Sequence, residues 1–191
     1  MQLRVTQYGE PILRKKGTKI LVFDQELAKL SENMLETMYE AEGIGLAAQQ
    51  IGLDLQIFVI DLQLPDAAID FECTYDGKHL PLSLIMPLVV INPEITPVGS
   101  DSMAEEGCLS FGSIRGLVKR QESVILRFQD LEGNFHTIEC GGIFARCIQH
   151  EYDHLQGILF IDRMERPTLH ALEAKLKKLK RAARNYLKQQ F

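Results

Sequence analysis

The sequence lacks the features that would place the protein in a membrane or outside the cell. It has no run of about 18 apolar residues, so no membrane-spanning helix is expected. Its start, MQLRVTQYGEPILRKKG, has no apolar stretch behind a basic beginning, so no secretory signal peptide is expected. We therefore expect a cytoplasmic protein, with neither a membrane nor DNA as a partner.

The cysteines do not occur in C-x-x-C pairs, so paired-cysteine motifs are excluded. In the reducing compartment expected here, each cysteine should be a free thiol or a metal ligand. The default for each is a small buried hydrophobe. The four are Cys73, Cys108, Cys140 and Cys147.

Internal repeats and low-complexity segments are also absent. The 191 residues, 46% apolar and 25% charged, are typical of one globular domain spanning 1–191. We expect a body over about 1–165 and a basic C-terminal helix over about 168–189. From Arg166 onward the chain carries +7, which leaves −12 on residues 1–165 for a total of −5. This asymmetry suggests a polyanionic partner for the C-terminal segment alone.

The hydrophobic pattern predicts an α+β fold, because helices and strands do not alternate regularly. The predicted helices span 24–43, 142–157 and about 168–189, and the predicted strands span 55–61, 88–93, 123–129 and 135–139. Asp24 is the expected N-cap of the first helix, and DLEGN is the expected turn between the last two strands. The weakly patterned connection at 62–87 is expected to be a surface excursion.

The stretch CIQHEYDHLQG contains His-Glu-x-x-His on a predicted helix. His150 and His154 are four residues apart, so both imidazoles would lie on one helix face and could share a metal ion. Glu151 is displaced by about 100° and could act as a general base without being a ligand. The alternative is a pair of histidines that only cap the core.

A catalytic metal site needs a third protein ligand. The longer zincin pattern would require a histidine at position 160, and Phe160 excludes it. Glu173 on a later helix could serve, as could a thiolate. The strongest thiolate candidate is Cys108 in EEGCLSFG, with Cys140 and Cys147 as competitors. The residues alone leave this choice open.

A third stretch, EGIGLAAQQIG at 42–52, has little side-chain bulk. It lacks the G-K-[ST] of a phosphate loop, and it follows a helix where a dinucleotide fingerprint follows a strand. It is either a tight, closely packed turn or a functional loop. A glutamine beside such a loop offers an uncharged N–H donor that could stabilise a developing oxyanion.

Taken in order, GIGLAAQQ, EGCLS and HEYDH resemble the three signature motifs of peptide deformylase. The resemblance covers roughly residues 4–165 and includes YGEPILRKKG and LQGILFIDRM. It implies a compact α+β domain with antiparallel sheets around the helix that carries the two histidines. It also implies an activity: removal of the N-formyl group from the initiator formyl-methionine of nascent peptides, which releases formate.

The resemblance further implies a role for each motif residue. Cys108, His150 and His154 would bind the metal, and a metal-bound water would attack the formyl carbon with Glu151 as general base and then acid. The Gln50 side chain and the Leu109 N–H would hold the oxyanion. The residues expected to line the substrate cleft are Ile44, Gly45, Gly107, Arg115, Ile143 and Cys147. Fe²⁺ is the ion expected in the cell, but Zn²⁺, Ni²⁺ or Co²⁺ could occupy the site and the spacing does not choose among them.

Two departures from the family pattern carry expectations of their own. Phe111 and Gly112 replace an aliphatic residue and proline, which should loosen the segment beside the cleft. The connection at 62–87 looks longer than usual. The basic C-terminal helix has two interpretations, a solvated face on a docked helix or a surface for ribosomal RNA.

Two rival functions remain at this stage. One is a metalloprotease that uses Glu173 as third ligand. The other is a metal-stabilised ribosome-binding module without catalysis.

Overall fold

The structure is a computed structural model that describes residues 2–65 and 71–189. The helices are α1 (Gln25–Glu40), α2 (Gly142–Leu155) and α3 (Arg166–Lys188). The strands are β1 (Gly45–Ala47), β2 (Ile57–Ile60), β3 (Cys73–Tyr75), β4 (Leu88–Gly107), β5 (Arg115–Gln129) and β6 (Phe135–Gly141). Short 3-10 turns lie at Pro11–Arg14, Ala48–Ile51, Leu82–Leu84, Leu109–Phe111 and Phe160–Arg163.

The six strands form one antiparallel sheet in the order β1-β2-β4-β5-β6-β3. The strand predicted at 88–93 is far longer than expected, because β4 continues to Gly107 alongside β5. Register shifts between Ile91 and Glu94 and between Val98 and Asp101 let the strand pass through Pro93 and Gly99, while Pro97 pairs in register with Val124. The long β4–β5 hairpin carries the EGCLS motif at its end.

The predicted β5–β6 hairpin is confirmed. Val124, Leu126 and Phe128 are at most 1% exposed on the inner face of the sheet, as their alternation predicts. Asp130 closes the turn, since its carboxylate accepts hydrogen bonds from the backbone N–H groups of Glu132 and Asn134.

Helix α1 begins where the sequence predicts, because the carboxylate of Asp24 accepts a hydrogen bond of 3.0 Å from the N–H of Leu27. It ends at Glu40, three residues before the predicted end. Its buried Met34 and Met38 pack against β2 in one core cluster. The C-terminal end of α1 therefore delivers the chain directly into the glycine-rich loop and β1.

Helix α2 packs against the inner face of the sheet and is the central helix of the fold. Phe144 and Ile148 are fully buried in the main core cluster with residues of β2, β4, β5 and β6. The helix was predicted at 142–157 and ends at Leu155. Because this face of α2 is packed into the core, the side chains on the other face of the helix are held in defined positions.

The connection at 62–87 lies largely at the surface, as expected, but three of its residues are anchored in the core. Leu62, Leu82 and Ile85 are at most 6% exposed and belong to the main core cluster. Strand β3 within it pairs with β6 and extends the sheet. The apolar residues of this connection are irregularly spaced, so the sequence pattern did not predict that some of them are buried. Positions 66–70 lie outside the described residues.

Helix α3 begins at Arg166, two residues before the predicted start, with Pro167 in its first turn. Leu176 is 6% exposed in a second core cluster together with Leu13 and Phe160. The guanidinium of Arg4 lies 3.9 Å from the centre of the Tyr186 ring. The helix is thus docked on the body through its apolar side. No helix within 2–65 and 71–189 is long and apolar enough to cross a membrane.

Candidate active site

The three sequence motifs meet at one place. Helix α2 presents His150 and His154, which are 9% and 1% exposed, and Cys108 follows directly after β4. One ligand atom from each of these residues lies within 4.8 Å of the other two. Sγ of Cys108 is 3.3 Å from Nε2 of His154. This separation allows all three side chains to reach a single ion.

The chemistry of these donors fits a divalent transition metal. A thiolate and two imidazoles, with a fourth position left for solvent or substrate, are typical of catalytic sites. Nδ1 of His150 lies 2.9 Å from a carboxylate oxygen of Glu106, which leaves Nε2 for the metal. Nδ1 of His154 is buried and has no hydrogen-bond partner among the described residues.

Behind His150 lies a buried ionic network that the sequence interpretation missed. Glu106 accepts hydrogen bonds from Nε and Nη2 of Arg120 at 2.6 and 2.9 Å and from Nη1 of Arg146 at 2.8 Å. Arg120, 3% exposed, also donates to Asp153 at 2.9 Å, and Arg163 donates to Asp153 from the other side. Burial opposes the ionisation of Glu106, but hydrogen bonds from His150 and Arg120 outweigh it and lower the pKa of that carboxyl. An ionised Glu106 holds His150 with its Nδ1 protonated.

Glu151 lies beside the three candidate ligands without joining them. Its side chain is 3% exposed, and Oε2 has no hydrogen-bond partner among the described residues. Burial raises the pKa of Glu151 to about 7. Gly45 of β1 makes room for it, since a Cβ built there would lie 2.8 Å from Cδ of Glu151. The carboxylate of Glu151 can therefore occupy this position only because residue 45 has no side chain.

The predicted oxyanion donors lie beside Cys108. Gln50 is 1% exposed, and its Oε1 accepts a hydrogen bond of 2.8 Å from the N–H of Ala47. This fixes the amide so that its Nε2 points at Sγ of Cys108, 3.4 Å away. Leu109 opens a 3-10 turn, in which the first N–H groups have no partner within the turn.

A cavity of about 660 Å³ opens onto these groups. It is lined by every sequence-predicted site residue except His154, which is buried behind Cys108. Cys147 lies in its wall and donates its S–H to the carbonyl of Ile44 at 3.7 Å. Burial raises the pKa of the Cys147 thiol well above its ordinary value, so this cysteine is a neutral wall residue.

The competing third ligands lie elsewhere. Cys140 is on β6, opposite Cys73 of β3. Glu173 is on the solvent side of α3, with its carboxylate near His170 and Lys177. Within the described residues, the cluster that could hold a metal contains Cys108 and neither Cys140, Cys147 nor Glu173.

The expectation that Phe111 and Gly112 loosen the segment beside the cleft is wrong for Phe111. Its ring is fully buried and stacks on Tyr8 with a centroid distance of 4.7 Å. It also meets the ring of Phe160 edge-on at 4.9 Å. These contacts anchor the segment after Cys108 to the body.

Comparison with known proteins identifies the family to which the chain belongs. The chain matches the polypeptide deformylase family over residues 2–170. A peptide deformylase of Opitutus terrae is 52% identical over 186 residues, which span 96% of each chain. The chain belongs to the peptide deformylase family. A second relative, the peptide deformylase of Methylacidiphilum infernorum, is 43% identical over 95% of this chain and 94% of its own length.

Solved peptide deformylases confirm the α+β fold. A plant peptide deformylase 1B has a TM-score of 0.82 at 34% identity, covering 96% of this chain and 92% of its own. The Synechococcus elongatus enzyme, solved in complex with actinonin, has a TM-score of 0.77 at 39% identity, covering 91% and 87%. As a member of this family the chain is a metal-dependent hydrolase of protein biosynthesis.

Proposed function

We propose that this peptide deformylase removes the formyl group from N-terminal formyl-methionine of newly made proteins in the cytoplasm. The observation that carries the proposal is the cluster of Cys108, His150 and His154 with the buried carboxylate of Glu151 beside it. The reaction cleaves the formamide C–N bond with water and gives formate and a free amine.

Cys108, His150 and His154 would hold one divalent ion. Fe²⁺ is the proposed ion in the cell, although Zn²⁺, Ni²⁺ or Co²⁺ would suit the same donors. When bound, the ion would supply Lewis-acid chemistry, lowering the pKa of a water and polarising the formyl oxygen. Glu106 supports this set because its contact with Nδ1 of His150 fixes the tautomer of the ring.

Glu151 would move the proton. Burial raises the pKa of this carboxyl, which favours its accepting and then returning a proton. Its unpartnered Oε2 is available to take a proton from the attacking water. The same carboxyl would then protonate the leaving nitrogen, so that the peptide is released with a neutral N-terminal amine.

Gln50 and Leu109 would stabilise the negative charge on the formyl oxygen. The amide of Gln50 is held with its N–H₂ toward Cys108, so it needs little reorganisation as the charge develops. The backbone N–H of Leu109 would supply a second donor. Removing one such donor costs about 10²–10³-fold in rate in other enzymes.

The substrate would enter along Ile44, Gly45 and Gly107. The methionine side chain would occupy a slot formed by Ile44, Ile143 and Cys147, all of which line the cavity. A slot of this kind suits a flexible unbranched thioether. Arg115 lies at the rim of the cavity and is exposed, where it could meet the peptide.

The experiment is formate release from formyl-Met-Ala-Ser by anaerobically purified protein, with metal analysis of the same sample. We expect stoichiometric metal and catalytic formate release. Cys108→Ala should lose the metal, whereas a metalloprotease that used Glu173 would keep it. A fully metallated wild-type protein that releases no formate would contradict the proposal and favour the non-catalytic alternative.

We further propose that α3 binds ribosomal RNA through its basic side. Its apolar side is occupied by the body, while the basic residues remain exposed. They are Arg166, Lys175, Lys177, Lys178, Lys180, Arg181, Arg184 and Lys188. Contacts between Lys or Arg and phosphate make binding strongly salt-dependent.

Co-sedimentation with ribosomes at several salt concentrations tests this proposal. A single glutamine at Lys177, Lys178, Arg181 or Arg184 should weaken binding and flatten its salt dependence, and Lys29→Gln on α1, which removes the same charge elsewhere, is the matched control. Unchanged binding would leave α3 as a docked helix with a solvated face only.

A further inference from the structure

A second cavity lies next to the active-site cavity. It has a volume of about 850 Å³ and is bordered by α2 and by strands β3, β4, β5 and β6. Much of its lining is apolar. The apolar residues include Phe71, Cys73, Val98, Met103, Ile125 and Cys140. None of the roles proposed above uses this space.

Three residues line both cavities: Glu105, Ile143 and Arg146. These three residues lie where the two spaces adjoin, and we call them the partition. Glu105 is exposed and Ile143 is 45% exposed, so both lie toward the outer edge of the partition. The side chain of Arg146 is 13% exposed and forms its inner part.

Arg146 is fixed in this position at both ends. Its backbone belongs to α2, and its guanidinium donates to the hairpin of β4 and β5. Nη1 donates to Oε1 of Glu106 at 2.8 Å and to the carbonyl of Val118 at 3.1 Å. Nη2 donates to the carbonyl and hydroxyl of Ser102 at 3.0 and 2.8 Å. The planar guanidinium of Arg146 donates to four acceptors and is therefore held rigidly. The aliphatic part of the same side chain can cover apolar surface.

The location of Arg146 connects this partition to the substrate. It precedes Cys147, a wall residue of the proposed methionine slot, and lies one helical turn before His150. The partition therefore borders the part of the active-site cavity that would receive the first side chain of a substrate.

We propose that Arg146 is a specificity-determining residue that closes the pocket for the first side chain. Without its side chain, the pocket opens into the second cavity and accepts formylated peptides whose first side chain is longer than methionine. This inference rests on the proposed deformylase function and adds the length limit on the first residue.

The test compares two substrates on the metal-loaded enzyme. One is formyl-Met-Ala-Ser, and the other replaces methionine with 2-aminodecanoic acid, whose straight side chain has eight carbons. The measured quantity is the ratio of kcat/KM for the long substrate to kcat/KM for the methionine substrate. Since both substrates use the same protein sample, a general loss of activity in a variant cancels from the ratio.

The wild-type ratio should be below about 0.1. Arg146→Ala should raise it at least tenfold, and Arg146→Gln, which keeps part of the side chain, should raise it less. Adding Cys73→Phe to Arg146→Ala should refill the second cavity and lower the ratio again. Arg127→Ala removes an exposed arginine that lines neither cavity and should leave the ratio unchanged.

The outcomes separate the two proposals. A metallated wild type without formate release from formyl-Met-Ala-Ser would contradict the proposed function. A wild type that accepts both substrates equally would overturn the role of Arg146, even if neither Arg146 variant folds. An active wild type with an unchanged ratio in the folded Arg146 variant would overturn it as well.

Discussion

Replacing Glu106 by glutamine should weaken both the metal site and the fold. Each oxygen of Glu106 accepts two hydrogen bonds, and Oε2 accepts those from His150 and Arg120. An amide nitrogen in place of either oxygen would face two donors, so the variant loses two charge-assisted bonds. Each such bond contributes about 1.5–3 kcal/mol, so we expect a loss of about 3–6 kcal/mol in the free energy of unfolding. Metal affinity should fall about 10–100-fold, the usual effect of losing the partner of a ligating histidine.

Glu105→Gln provides the matched control, because Glu105 is the preceding residue of β4 and is exposed where Glu106 is buried. Metal affinity is measured by competition with a chelator, and stability by chemical denaturation of the same samples. Equal metal affinities and equal unfolding midpoints for the two variants would refute the role assigned to Glu106.

Three further changes test other parts of the structure. Gly45→Ala should displace the carboxylate of Glu151 and lower kcat at least about 100-fold with metal content unchanged, and normal turnover would contradict the steric argument. Phe111→Ala should cost about 3–5 kcal/mol in chemical denaturation, whereas Phe135→Ala, at a position 62% exposed, should cost far less; equal costs would contradict the anchoring of this segment. Burial opposes the charge of His136, but hydrogen bonds to two aspartates outweigh it and raise its pKa above 6.5. The charged ring therefore stabilises the fold below about pH 6.5, by at most about 1 kcal/mol, and this contribution is lost as pH rises through the raised pKa. The stability difference between wild type and His136→Gln should shrink between pH 6 and pH 9, and a difference that grows would contradict the assignment.

Much of the candidate site could be predicted because its information is local in the sequence. The spacing of His150 and His154 places both rings on one face of a helix, whatever surrounds it. The buried network could not be predicted in the same way. Arg120 meets Glu106 only because β4 pairs with β5 in one particular register, and neither residue type indicates that register.

The fold shows the same limit. The first six residues of β4 follow the expected pattern, but Pro93, Pro97 and Gly99 conceal the rest of the strand. Bulges absorb Pro93 and Gly99, whereas Pro97 stays in register opposite Val124, and this pairing with β5 is a long-range contact. Phe111 was misjudged for a similar reason, since the aromatic partners that bury it come from distant segments of the chain.

The most direct measurement compares formate release and metal content in the wild type and in Glu151→Gln. The account predicts one metal ion per chain in both proteins, with formate release reduced about 10²–10⁴-fold in the variant, the range expected for a lost acid–base group. Undiminished formate release from a fully metallated Glu151→Gln protein would contradict the proposed mechanism.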